Sequence, residues 1–314
     1  MRRRFAIVVA LAALPLFAQV PQGAALFEEG RFEEAKKLLA PMKNDADALV
    51  ILGKIALAQN DAETAETYLT KAVELKPNSA MAHLWLGNAY GSQAQKASIF
   101  GQASLAGKTK AEFERAVQLD PNLIDARFGL IDYYSMAPGF MGGSDEKAMQ
   151  QAAEIKKRDA YQGHRAYARL YGRKKNMDAA RNEWVAAIKE QPQAAKPHIS
   201  LALFYASNDK NFAGAWNEIE AALKLEPNWM PVQFRVGQIA ALSGMNYARG
   251  EEALKKYTTY KPKENEPDLA STWYYLGMIY EKQGKKAEAK QSYAAALKMN
   301  PSSKTFNEAL KRVS

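Results

Sequence analysis

The chain has 314 residues, 47% hydrophobic and 25% charged: enough apolar material for a large core, and a composition unlike that of a disordered chain. It contains no cysteine, which excludes disulfides, thiolate metal centres, cysteine nucleophiles and the lipidated cysteine that anchors an exported lipoprotein. The formal charge of +9 is mild for this length and fits acidic partners or a membrane surface.

Residues 1–18 read as a signal peptide. Arg2, Arg3 and Arg4 give a positive start, residues 5–14 are apolar, and Pro15-Leu16-Phe17-Ala18 offers a cleavage region before Gln19. The apolar run is shorter than the ~20 residues needed to span a bilayer, so no integral membrane segment is expected once the leader is removed. Loss of the three arginines leaves 40 basic against 34 acidic residues, a charge of +6. The expected location is periplasmic or secreted, where nucleic acid is not an expected partner.

Beyond the leader, helix formers dominate and no sheet is expected. Prolines at 77, 121, 192, 227, 262 and 301 recur with gaps of 44, 71, 35, 35 and 39, an internal period near 34 with insertions. The first unit, 19–45, centres on Gly30-Arg31-Phe32-Glu33-Glu34-Ala35. The second, 46–79, carries Leu49, Leu52, Gly53, Ala65, Leu69, Ala72 and Pro77. Unit 80–123 holds about ten additional residues within 91–105, read as lengthened helices. Unit 124–160 contains the turn-rich, oddly apolar segment 136–144, whose Ser144 before Asp145-Glu146-Lys147 is a helix N-cap signal. In units 161–194 and 195–229 the pattern opens at His164 and His198 and closes at Pro192 and Pro227. Unit 230–265 is degenerate, marked by Gly237, Gly244, Gly250 and Leu254. In unit 270–303, Trp273, Leu276, Gly277 and Tyr280 precede Ala289, Tyr293, Ala296 and Pro301. Residues 304–314, with Phe306, Leu310 and Val313 on one face, read as a capping helix.

The W-x2-L-G-x2-Y spacing of Trp273, Leu276, Gly277 and Tyr280 resembles the tetratricopeptide repeat family, over nearly all of the chain after the leader. The resemblance implies an all-α, right-handed solenoid of about eight helix-turn-helix repeats with a C-terminal cap, and a concave groove that binds proteins or peptides. In that family the places one and five residues after the Trp-like position tend to face the groove. Carried onto this chain, they are Lys54, Asn88, Phe128, Asp132, Arg165, Arg169, Phe234, Gln238 and Tyr274. Lys54 and Asn88 match part of the clamp that some members use for chaperone C-termini, but acidic Asp132 stands at the next such place, so that specificity is not carried over.

Other groups are weighed against plainer roles. His83, His164 and His198 all fall at the Trp-like position of separate units, which points to packing rather than a metal site. Gly142-Gly143 lacks the rest of a phosphate-loop motif and is expected to form a turn. The cations from Lys156 to Arg181 form a charged helix surface, within which Arg165 and Arg169 lie one turn apart and suit a peptide carboxylate. Asp125, Asp132 and the scattered serines assemble no catalytic constellation, and no cofactor is expected. The expected function is a non-enzymatic scaffold; the alternative is a small-molecule or transporter-associated binding component.

Overall fold

The computed structural model describes residues 16–314; the sequence readings on residues 1–15, most of the leader, lie outside them. Among the described residues there are seventeen α-helices and no strand. No helix among them is long and apolar enough to cross a membrane. The helices group into two compact units dividing after Leu119, where the repeat pattern gave no sign of a break.

The first unit contains α1 (Leu16–Glu28), α2 (Phe32–Leu39), α3 (Ala46–Ala58), α4 (Ala62–Leu75), α5 (Ala80–Ala94) and α6 (Ile99–Leu119). Helix α1 runs through the Ala18-Gln19 junction. The additional residues of 91–105 do lengthen helices, giving α6 21 residues. Phe27, Leu39, Leu52, Ile55 and Leu69 form the core.

The second unit contains α7 (Ile124–Met136), α8 (Asp145–Arg158), α9 (Ala160–Arg173), α10 (Met177–Glu190), α11 (Ala195–Phe204), α12 (Phe212–Leu225), α13 (Met230–Ser243), α14 (Tyr247–Thr258), α15 (Leu269–Lys282), α16 (Lys286–Met299) and α17 (Lys304–Arg312). Leu201, Ile219, Val232, Phe234, Leu254, Tyr257, Leu276 and Tyr293 are among its buried side chains. A helical-repeat solenoid is therefore present in each unit, built from helix pairs.

Short-range chemistry sets the helix boundaries. Asp45, Asp61, Ser79, Ser144, Asp159, Asn176, Asn211, Asp268 and Ser303 each accept a hydrogen bond from a backbone N–H of the helix they precede. Close pairing of the helices within a repeat needs a missing side chain. A Cβ on Gly53 would stand 2.5 Å from Cγ of fully buried Leu69, and one on Gly277 would stand 2.6 Å from the ring of Tyr293.

The Trp-like positions do more than pack. His83 Nε2 lies 3.0 Å from the carbonyl of Pro77, Arg127 donates twice to that of Pro121 at 3.1 Å, and Gln233 donates to that of Pro227 at 3.3 Å. Each side chain thus reaches back six residues to the proline that closes the preceding helix. The three histidines also join the two helices of their own repeats: their Nδ1 atoms lie 2.5 Å from Glu112, 2.6 Å from Glu183 and 2.6 Å from Glu218. Packing was the sequence expectation; the clasp is an addition to it.

Candidate functional site

In the second unit α7, α9 and α11, the first helices of three consecutive repeats, turn one face toward a shared cleft. Its volume is about 570 Å³ and it opens to solvent. Phe128 comes from α7; Arg165, Ala168, Arg169, Gly172 and Arg173 from α9; Trp184 from α10; and Ser200, Leu203 and Phe204 from α11. Ser207 and Asn208 complete it. They belong to a single π turn, Tyr205–Asp209, that widens the end of α11 before Lys210 takes the left-handed conformation at φ 54°. Such turns are rare and recur at functional places. Asp209 holds this one by an ion pair with Arg181 at 2.8 Å.

The three arginines stand four residues apart on one face of α9 but have different surroundings. Arg165 lies 5.5 Å over the Phe128 ring and 5.9 Å over that of Tyr161, and it donates to the side-chain carbonyl of Gln162. Arg169 and Arg173 instead converge on Asp132, at 2.9 Å and 2.7 Å. Beneath Arg165, buried Tyr161 keeps a hydroxyl with no hydrogen-bond partner among the described residues. Burial pushes this phenol above its ordinary value, opposed by the nearby Arg165 charge and by Ser200.

Of the nine side chains expected to face a groove, the structure thus brings Phe128, Arg165 and Arg169 into one cleft, with Asp132 bonded at its edge. The remaining five lie elsewhere. Lys54, in the first unit, sits with its ammonium 4.2 Å over Phe27 and 5.1 Å over Trp85, and pairs with Glu28 at 3.8 Å. Asn88 is half-buried on α5. Phe234 is corrected to the core: it is 2% exposed and packs on Tyr257 and Tyr275. Gln238 is held between Arg235, which donates to it at 2.6 Å, and Tyr275, which accepts from it at 2.8 Å. Tyr274 is covered by the cap, its ring stacked on Phe306 at 5.2 Å. Arg173, Trp184 and the π turn were not picked out as groove residues; the four-residue spacing of Arg165, Arg169 and Arg173 was the available signal.

The glycine loop is a turn. The N–H groups of Met141, Gly142, Gly143 and Ser144 donate to the carbonyls of Pro138, Gly139, Pro138 and Tyr134, so they do not point at an anion. A Cβ on Gly143 would stand 1.8 Å from the Ala137 carbonyl oxygen. The loop holds Phe140 outward, 86% exposed. No group of three or more His, Asp or Glu side chains converges as a metal site among the described residues.

The family model for the tetratricopeptide repeat matches residues 46–79 and 270–303. No curated protein matches the chain. Among solved structures, it is similar to the human IFIT1 dimer with m7Gppp-AAAA, with TM-score 0.55 and 17% identity over 93% of this chain and 70% of that one. It is similar to a tetratricopeptide repeat protein from Parabacteroides merdae, with TM-score 0.52 and 16% identity over 85% of this chain and 98% of the other. It is also similar to the APC/C hetero-tetramer Cut9-Hcn1, with TM-score 0.50 and 14% identity, where it covers 94% of its own length and spans 55% of that chain. At these identities the likeness is one of fold. The chain thus carries tetratricopeptide repeats at residues 46–79 and 270–303, one in each of its two units of helix pairs.

Proposed function

We propose that this chain is a non-enzymatic scaffold, exported to the periplasm or secreted, that holds a protein or peptide partner in the cleft between α7, α9 and α11. Tetratricopeptide repeats are interaction modules, and the observation that carries the assignment is the open cleft itself. Three successive first helices line it with aromatic, aliphatic and cationic side chains together, as a peptide surface requires. The partner-contacting residues are Phe128, Arg165 and Arg169, with Asp132 and Arg173 beside them. Export rests on the arginines and apolar run of residues 1–18. Because helical repeats of this kind occur with a protein in Cut9-Hcn1 and with m7Gppp-AAAA in IFIT1, fold alone does not select the ligand. Export and the cleft's apolar walls favour protein over nucleic acid.

The test is affinity capture from an envelope extract with the chain starting at Gln19, beside the Arg165→Glu/Arg169→Glu double variant checked for native helicity. Recovery of a partner by the parent and its loss with the folded variant support the scaffold and its cleft. N-terminal sequencing of the protein from fractionated cells, starting at Gln19, supports export. One observation favours a second reading: a volume of about 570 Å³ falls within the roughly 300–1,000 Å³ usual for small-ligand sites. Under that reading no protein is recovered, and the chain is a small-molecule or transporter-associated binding component.

A further inference from the structure

Three guanidinium groups line the cleft and a single carboxylate, Asp132, answers them. Two of the three, Arg169 and Arg173, share that carboxylate. Arg165 has no acidic side chain within ion-pair distance among the described residues, and one bond to Gln162 leaves most of its five N–H donors unmatched. Its orientation is nevertheless fixed, because its plane is held against Phe128 and Tyr161. A positioned arginine without a carboxylate is ready for one supplied from outside.

Ser200, which lines the cleft from α11, donates its hydroxyl to the Lys196 carbonyl at 3.0 Å. Beside this corner the walls are apolar: Phe128, Trp184, Leu203 and Phe204.

We propose, resting on the peptide-scaffold reading above, that the cleft recognises an acidic residue placed next to a large apolar one in a partner peptide. The carboxylate pairs with Arg165, and the apolar side chain lies against Phe128, Trp184 and Leu203. Asp132 keeps Arg169 and Arg173 engaged, so a single carboxylate suffices and a run of acidic residues is not required.

The experiment titrates the chain from Gln19 into dye-labelled, C-terminally amidated octapeptides by fluorescence anisotropy. Each peptide carries one Glu and one Leu, Phe or Trp, separated by one to three positions. Control sets replace Glu by Gln, replace the apolar residue by Ser, or replace Glu by phosphoserine. Binding is expected for at least one Glu peptide, weakened at least about tenfold by the Gln replacement and by Arg165→Gln. Phe128→Ser weakens it as well, and Lys71→Gln, on an exposed position of the first unit, does not. The assignment is overturned if the Gln peptides bind as well as the Glu peptides, if only the phosphoserine set binds, if no Glu peptide binds, or if Arg165→Gln, with its parental circular dichroism and melting intact, binds like the parent. A captured protein partner that is indifferent to Arg165→Gln overturns this assignment and leaves the scaffold reading standing. Capture of no protein at all counts against the scaffold reading itself.

Discussion

Lys54 and Arg165 were placed by the same register rule on the first helices of two repeats, and both cations lie against two aromatic rings. Around Lys54 the space is closed: the side chain is 20% exposed, Phe27 and Trp85 flank it, and Glu28 supplies a counter-charge. Around Arg165 the rings cover one side, no carboxylate arrives from among the described residues, and the other side is a cleft. The register of a repeat therefore says which way a side chain points, and the spacing of neighbouring helices decides whether anything can reach it.

Paired substitutions sharpen the contrast. The largest effect is expected at the rings. Phe27→Ala removes a side chain that is 1% exposed and destabilises by about 3–5 kcal/mol, whereas Phe128→Ala, at a half-buried wall, loses about 1 kcal/mol; urea unfolding separates the two. Glycines come next. Gly53→Ala drives a Cβ into Leu69 and destabilises by about 1–3 kcal/mol, but Gly172→Ala, on the cleft face of α9 with no atom within 4 Å, stabilises by about 0.5–1 kcal/mol through helix propensity. Equal losses at Gly53 and Gly172 would break the comparison. Both α3 and α9 are followed by a left-handed residue, Asn60 at φ 61° and Lys175 at φ 57°. Lysine tolerates that region worse than asparagine, so Lys175→Gly raises stability by about 1 kcal/mol and Asn60→Gly by only a few tenths.

A pH effect distinguishes the covered Tyr274 from the open cleft. Hydrogen bonds from Arg312 and Tyr293 hold the Glu281 carboxyl below its ordinary value. A depressed carboxylate stabilises the fold at pH values above its unfolded value and loses that contribution as pH falls through the folded one. The protection of α17 amides, their exchange relative to the intrinsic rate at each pH, should therefore fall on acidification below about pH 4.5, and Arg312→Ala should lessen the change.

Repeat architecture was legible because its signals are local: proline spacing, small residues at Gly53 and Gly277, and caps such as Ser144 lie within one repeat. The cap helix over 304–314 was legible for the same reason. The site was only partly so. Asp132 meets Arg169 and Arg173 across 37 and 41 residues, and nothing in the immediate sequence announces it. Phe234 obeys the groove register by number, but the aromatic cluster of Tyr257 and Tyr275 draws it into the core. Tyr274 keeps its face, and Phe306 of the cap lies across it. The division after Leu119 has no counterpart in the proline period, which measures repeat length and is blind to how repeats group.

The side chains that reach back to Pro77, Pro121 and Pro227 have one further consequence, for how such a chain can change over generations. Donor and acceptor sit six residues apart, so the joint is encoded entirely within the connector it secures. A repeat copied together with its preceding proline arrives with its own fastening and needs no matching change in its new neighbour. A single codon inserted between Pro121 and Arg127, by contrast, shifts the donor by one place around the helix and undoes it.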